Sequence, residues 1–128
     1  MLKRGKWLWV AAGIAVLLML ALHLGRIQYR ATMQNAREAV LRSNLLAIRV
    51  AIDQYTHNKR QAPQSLQQLV DAGYFRELPV DPMTNSNSQW TPVMGDIVIS
   101  PGQTVRGITN LHSSSTSISK DGTNYRAW

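Results

Sequence analysis

The sequence predicts an α+β protein: a long N-terminal helix, first transmembrane and then amphipathic, packed on a small antiparallel sheet. Three observations predict it. Residues 7–24 contain no Asp, Glu, Lys or Arg, and eighteen helical residues span about 27 Å, close to the hydrocarbon core of a bilayer. Residues 27–57 contain neither Pro nor Gly, so nothing breaks the helix after the apolar run. The last forty residues instead cluster β-branched side chains between Gly and Pro, the pattern of short strands and turns.

Four segments follow. Residues 1–6 are a basic cytoplasmic flank, residues 7–25 the transmembrane helix, residues 26–58 its amphipathic continuation, and residues 59–128 a small globular head. A head of about 70 residues buries a poor share of its own surface, so the long helix is expected to form one wall of its core. The chain has no Cys, which excludes disulfides, thiol nucleophiles and thiolate metal sites. Its net charge of +7 is uneven: Lys3, Arg4, Lys6, Arg26 and Arg30 bracket the apolar run, and no acid precedes Glu38. That distribution suits anionic lipid headgroups and gives little support to nucleic-acid binding.

The flank Lys3-Arg4-Lys6 favours a cytoplasmic N-terminus and a head outside the cytoplasm. Trp7 and Trp9 fall at one membrane edge and Tyr29 just beyond the other, as interfacial aromatics do. The competing reading is a cleaved signal peptide. Its apolar region is usually about 7–15 residues and ends at a small-x-small site, whereas this run is longer and Leu-His-Leu-Gly-Arg at 22–26 is a poor site. His23 lies near the outer end of the span and reads as an interface-facing histidine or, alternatively, a functional intramembrane group.

Leu41, Leu45, Ile48, Ile52 and Tyr55 recur at helical spacing and predict a buried stripe, with Ala47 and Ala51 beside it. Arg42 and Arg49 are expected on the solvated side with Ser43, Asn44 and Asp53. An ordinary core-facing helix accounts for the stripe without a partner. The helix should end in the polar run 58–61 before Pro63. A second helix is expected to start at Ser65 as N-cap, to carry Leu66, Leu69 and Val70 on an apolar side, and to stop at Gly73. Residues 78–82, Leu-Pro-Val-Asp-Pro, read as extended because a residue before Pro avoids the α region. Residues 84–88 read as a turn cluster. Three short strands are expected at 89–93, 97–99 and 108–112, with Pro92 and Pro101 confined to edges or ends. Residues 113–117 read as a loop and 120–122 as a turn, with Tyr125 and Trp128 as a closing aromatic pair.

In this order the residues resemble a known family. The pieces are Ala-Ile-Asp-Gln-Tyr (51–55), Ala-Pro-Gln-Ser-Leu (62–66), a Leu69-centred helix, Ala-Gly-Tyr-Phe (72–75), Leu-Pro-Val-Asp-Pro (78–82), Trp90, His-Ser-Ser-Ser (112–115) and Asp-Gly-Thr-Asn-Tyr-Arg-Ala-Trp (121–128). The set is similar to the pseudopilins of type II secretion, above all the G-type major pseudopilin, within the wider type IV pilin group. The resemblance implies a pseudopilin-like subunit of a type II secretion or type IV pilus-like machine. Such a subunit sits in the bacterial inner membrane with its head in the periplasm. Its partners would be other pseudopilins, copies of itself in a helical filament, inner-membrane secretion components and the lipid bilayer, with no nucleic acid. The residues carried over are structural: Tyr55, Leu69, Gly73 and Asp81 belong to the motif, Pro63 and Leu66 start the second helix, Tyr74, Pro79 and Pro82 clamp the loop after it, and Trp90, Tyr125 and Trp128 fill the small core.

Two departures from that family stand out. Its members carry a basic leader and Gly, cut by a peptidase, followed by Phe-Thr-Leu-Ile-Glu. Here Lys3-Arg4-Gly5 matches the leader, but Lys6 stands in place of Phe and Val10 in place of Glu. An uncut chain exposes no new amine for that Glu to pair with, and an unpaired buried carboxylate is costly. Gly5 and Lys6 therefore mark a leader-like site that is expected to be cut poorly. The alternative function follows: a membrane-resident, pilin-like binding or assembly module that is not cleaved and does not polymerise. The other departure concerns calcium, which G-type relatives often hold in a C-terminal loop and which takes about six to eight oxygens. This loop offers Asp121, several hydroxyls, and Asn110 where relatives commonly have Asp; a plain hydrogen-bonded turn with no cofactor is the preferred reading. No catalytic or metal motif is present: His23, His57 and His112 lack ligand spacing, and residues 113–117 lack a Gly-x-Ser-x-Gly context. An enzyme is not expected.

Overall fold

The computed structural model describes residues 2–128, with side chains from Gly5 onward; the Lys3 and Arg4 side chains of the basic flank lie outside the described residues. The element order is α1 (Leu2–Lys59), α2 (Gln67–Asp71), β1 (Trp90–Ser100), β2 (Gln103–Ser113) and a final 3-10 turn, Tyr125–Ala127. The chain divides into two compact units, Met1–Asn35 and Ala36–Trp128. The boundary falls inside α1, so the second half of that helix belongs to the head.

In the first unit α1 is long and apolar enough to cross a membrane, with a mean hydropathy of 2.2 over its most apolar eighteen residues. None of that window is buried by protein. Helices buried in a soluble core are covered by neighbours; this one offers Trp7, Leu8, Trp9, Leu17 and Met19 to its surroundings, each more than 60% exposed.

In the second unit the helix packs on the sheet, as an α+β pilin-like architecture requires. Leu41, Leu45, Ile48 and Ile52 are buried at the expected spacing, and Tyr55 packs against them half-buried. Ala51 is buried, whereas Ala47 is exposed. Leu69, Trp90, Ile108, Leu111 and Tyr125 complete the core from the other elements. Helix α1 ends where Arg60 takes a left-handed φ of 54°, a conformation that closes helices and is tolerated outside Gly at modest cost.

Ser65 does not cap α2. The cap residue is Leu66, with no side-chain cap bond; instead the Gln68 side chain reaches back and its Oε1 accepts the Gln64 amide at 2.8 Å. The other end follows expectation. Gly73, at φ 84°, donates to the Val70 carbonyl at 3.0 Å, and Tyr74 donates to Leu69 at 2.9 Å. This paired closure satisfies two of the last carbonyls of α2 and requires the left-handed residue that Gly supplies without strain.

The three expected strands are two. The segments at 89–93 and 97–99 join through Met94, Gly95 and Asp96 into one eleven-residue strand, β1, paired antiparallel with β2. Pro101 and Gly102 make the turn between them, with Gly102 at φ 76°. In a two-stranded sheet every strand has a free edge, which is why Pro92 is tolerated inside β1. The register slips once between Val93 and Met94, leaving Thr109 without a partner in β2, and again at Ile99. Strict alternation would turn Ile108 and Asn110 to one face. The bulge at Thr109 resets the alternation, so that Ile108 and Leu111 are both buried.

Candidate functional site

Four attachments fix the head, and most of the motif residues meet in them. Asp81, fully buried, is the hub of the first: its Oδ2 accepts from Ser113 Oγ at 2.5 Å and its Oδ1 from the Met83 amide at 2.8 Å. Its own amide donates to the Ser86 carbonyl, and the Ser115 amide donates to Ser113 Oγ. A buried carboxylate needs such donors, and these sew the 81–86 turn to the end of β2. Second, residues 79 and 80 are held from both sides. Trp90 Nε1 donates to the Pro79 carbonyl at 3.0 Å, and Asn44 Nδ2 donates to the Val80 carbonyl at 2.9 Å. Pro82 beside them is half-buried. Third, Pro63 is buried, and its carbonyl accepts the Ile108 amide at 2.8 Å, covering part of the outer edge of β2. Leu66, half-buried, packs on the core just after it. Tyr74 Oη accepts from Asn58 on α1 at 2.9 Å, and its ring lies 6.1 Å from that of Tyr55.

The fourth attachment holds the last ten residues. Glu38, 7% exposed, accepts the Lys120 amide at 2.9 Å and the Tyr125 hydroxyl at 2.8 Å on the same oxygen. Arg49 donates from Nε to Asn110 Oδ1 at 2.7 Å, and from Nη2 to the main-chain oxygens of Leu111 at 3.1 Å and Trp128 at 2.8 Å. His112 Nδ1 pairs with the same Trp128 oxygen. The expected solvated placement of Arg49 and Asn44 is thereby corrected. Both are half-buried, because main-chain acceptors from the sheet and its loops face that side of the helix. Glu38 was not among the expected residues, although it stands three residues before Leu41 and so extends the buried stripe by one turn.

Trp128 is half-buried rather than a full core residue, unlike Trp90 at 6% exposure. Its ring meets Tyr125 edge-on at 5.1 Å, and the Arg42 guanidinium lies 4.3 Å from its centroid on the open side. Arg42, Leu45, Arg49 and Trp128 line an open cleft of about 320 Å³. Asp121 joins no other acid there; its carboxylate lies 3.7 Å from Arg42, with both side chains mostly exposed. No cluster of three His, Cys, Asp or Glu able to hold a metal occurs among the described residues.

The face of α1 turned away from the head has a character of its own. Ala36, Val40, Ser43, Leu46, Ala47 and Val50 are all exposed and fall within one side of the helix at 3.6 residues per turn. None is charged, and Leu46 is 64% exposed. Gly5 and Lys6 lie within α1, the Lys6 side chain exposed.

No protein-family model matches the chain, and neither a curated protein nor a solved structure matches it.

Proposed function

We propose that this chain is a pseudopilin-like subunit of a type II secretion or type IV pilus-like machine, anchored by residues 7–25 in a bacterial inner membrane with its head in the periplasm. The observation that carries the reading is the uncharged outward face of α1 over residues 36–50. A helix already packed on its own core has no use for a second apolar face in water, and an exposed patch of this kind marks an interaction surface. The same helix, α1, also carries an unburied apolar segment long enough to cross a membrane. Lateral packing of such helices is what a helical filament consists of.

The test is in-cell photocrosslinking from Leu46 and Val50. These positions are suitable because they are exposed, whereas Ile48 and Ile52 are buried in the core. Multimers of this chain, or adducts with secretion-platform proteins, are the expected products. A chain that stays monomeric from both positions overturns the filament assignment.

A second reading is favoured by Lys6 and Val10: a membrane-resident module that is neither cut nor polymerised. Cutting after Gly5 would place a new ammonium and the Lys6 side chain on one residue with no carboxylate at position 10, and burying that pair is costly. Intact-mass measurement on protein from its native membrane separates the two. A species beginning at Lys6 supports the filament subunit, and an uncut one supports the resident module.

A further inference from the structure

We propose that the cleft between Arg42, Leu45, Arg49 and Trp128 is a recognition site for an acidic side chain presented by a partner protein. Such a site would serve the chain inside or outside a filament. Two arginines form it. Arg49 is immobilised through Nε and Nη2 on three acceptors, and its Nη1 makes no hydrogen bond among the described residues. A guanidinium held in this way offers its Nη1 donors without losing further conformational freedom. Arg42 lies over the Trp128 ring and lines the same cleft.

Two guanidinium groups line the cleft, and Arg42 pairs with the Asp121 carboxylate at 3.7 Å, with side chains 62% and 69% exposed. So exposed a pair is weak and exchangeable. Asp121 thus acts as an internal placeholder: it occupies one fork of Arg42 with the very group a ligand would bring, at less than full contact. The remaining surface is the half-buried Trp128 indole, apolar area that fits the methylenes of Asp or Glu and reduces competition from water around the charge. A carboxylate accepts two parallel hydrogen bonds from a guanidinium. Arg and Trp are also the residue types that carry most of the binding energy at protein interfaces, which favours a protein as the source of the carboxylate.

The experiment uses the full chain in detergent micelles. The N-acetyl N-methylamide of glutamate is titrated while the Trp128 indole N–H resonance is followed, with the corresponding glutamine compound and inorganic phosphate as parallel arms. The glutamate probe should shift the resonance saturably, and the glutamine probe should not. Arg42→Gln should weaken binding about fivefold or more, with Arg42→Lys intermediate because it keeps charge but not the fork. Asp121→Asn should tighten binding about two- to threefold by releasing Arg42. Both positions are exposed, so the variants should stay folded, which melting curves check alongside. Equal shifts from glutamine, unchanged binding in Arg42→Gln, or weaker binding in Asp121→Asn would each overturn the proposal. Saturation by phosphate at lower concentration than by the glutamate probe would overturn the acidic-side-chain assignment and identify a phosphate site instead.

Discussion

The Tyr125 hydroxyl donates a 2.8 Å hydrogen bond to the Glu38 carboxylate, joining residues 87 positions apart. Both are buried, and the same carboxylate oxygen accepts the Lys120 amide. The end of the described chain is thus tied to the first turn of α1 that belongs to the head. Arg49, about three turns further along α1, and His112 hold the Trp128 main-chain oxygen. The closing segment is a strap across the helix rather than a loose tail.

Tyr125→Phe keeps the ring in the core and removes only the hydroxyl. Because the lost bond is to a buried carboxylate, the variant should be destabilised by about 1.5–3 kcal/mol. Urea unfolding of the full chain in detergent measures this; a midpoint equal to wild type would remove Glu38–Tyr125 from the list of stabilising contacts.

Asp81→Ala should be among the most damaging polar substitutions in the head. It strands the Ser113 hydroxyl and the Met83 amide without their acceptor, at about 2–4 kcal/mol. A double-mutant cycle with Ser113→Ala should show a coupling of about 0.5–3 kcal/mol, since the two are in direct contact. Additive effects would mean that Asp81 acts through its main chain alone.

Gly107→Ala should destabilise more than Gly95→Ala, although the two glycines face each other across the sheet. A Cβ at Gly107 would meet Ala62 Cβ at 2.4 Å and the Pro63 carbonyl at 2.9 Å, neither of which can rotate away. At Gly95 the obstacle is the Thr109 side chain. Overpacking at Gly107 is expected to cost about 1–3 kcal/mol. Thermal unfolding of the two variants ranks them, and the opposite order would refute this account of the 62–63 contact.

Trp90→Ala should cost about 3–5 kcal/mol, the range for a large buried aromatic. Trp128→Ala should cost less, about 1–2 kcal/mol, from its edge contact with Tyr125 and its exposed stacking under Arg42. Equal losses in unfolding free energy would show that the half-exposed ring carries as much of the core as the buried one.

How far the sequence reached can be judged from particular residues. The uncharged run 7–24, the break before Pro63, the stop at Gly73 and the stripe from Leu41 to Ile52 are local signals. They depend on propensity, on left-handed backbone conformation and on a 3.6-residue period, all of which a short window contains. The sequence by itself therefore determined the helix, its apolar segment and the α+β class. It did not determine what faces the sides of that helix. Glu38 and Arg49 look like surface charges until their acceptors and donors, 61 to 87 residues away, are brought to them. Ser113 looks like part of a polar loop until it meets Asp81. The Thr109 bulge decides that Leu111 rather than Asn110 enters the core, because one unpaired residue reverses the alternation of every residue beyond it. These outcomes were left to the tertiary structure for one physical reason: burial of a polar group is favourable only once its distant partner is in place.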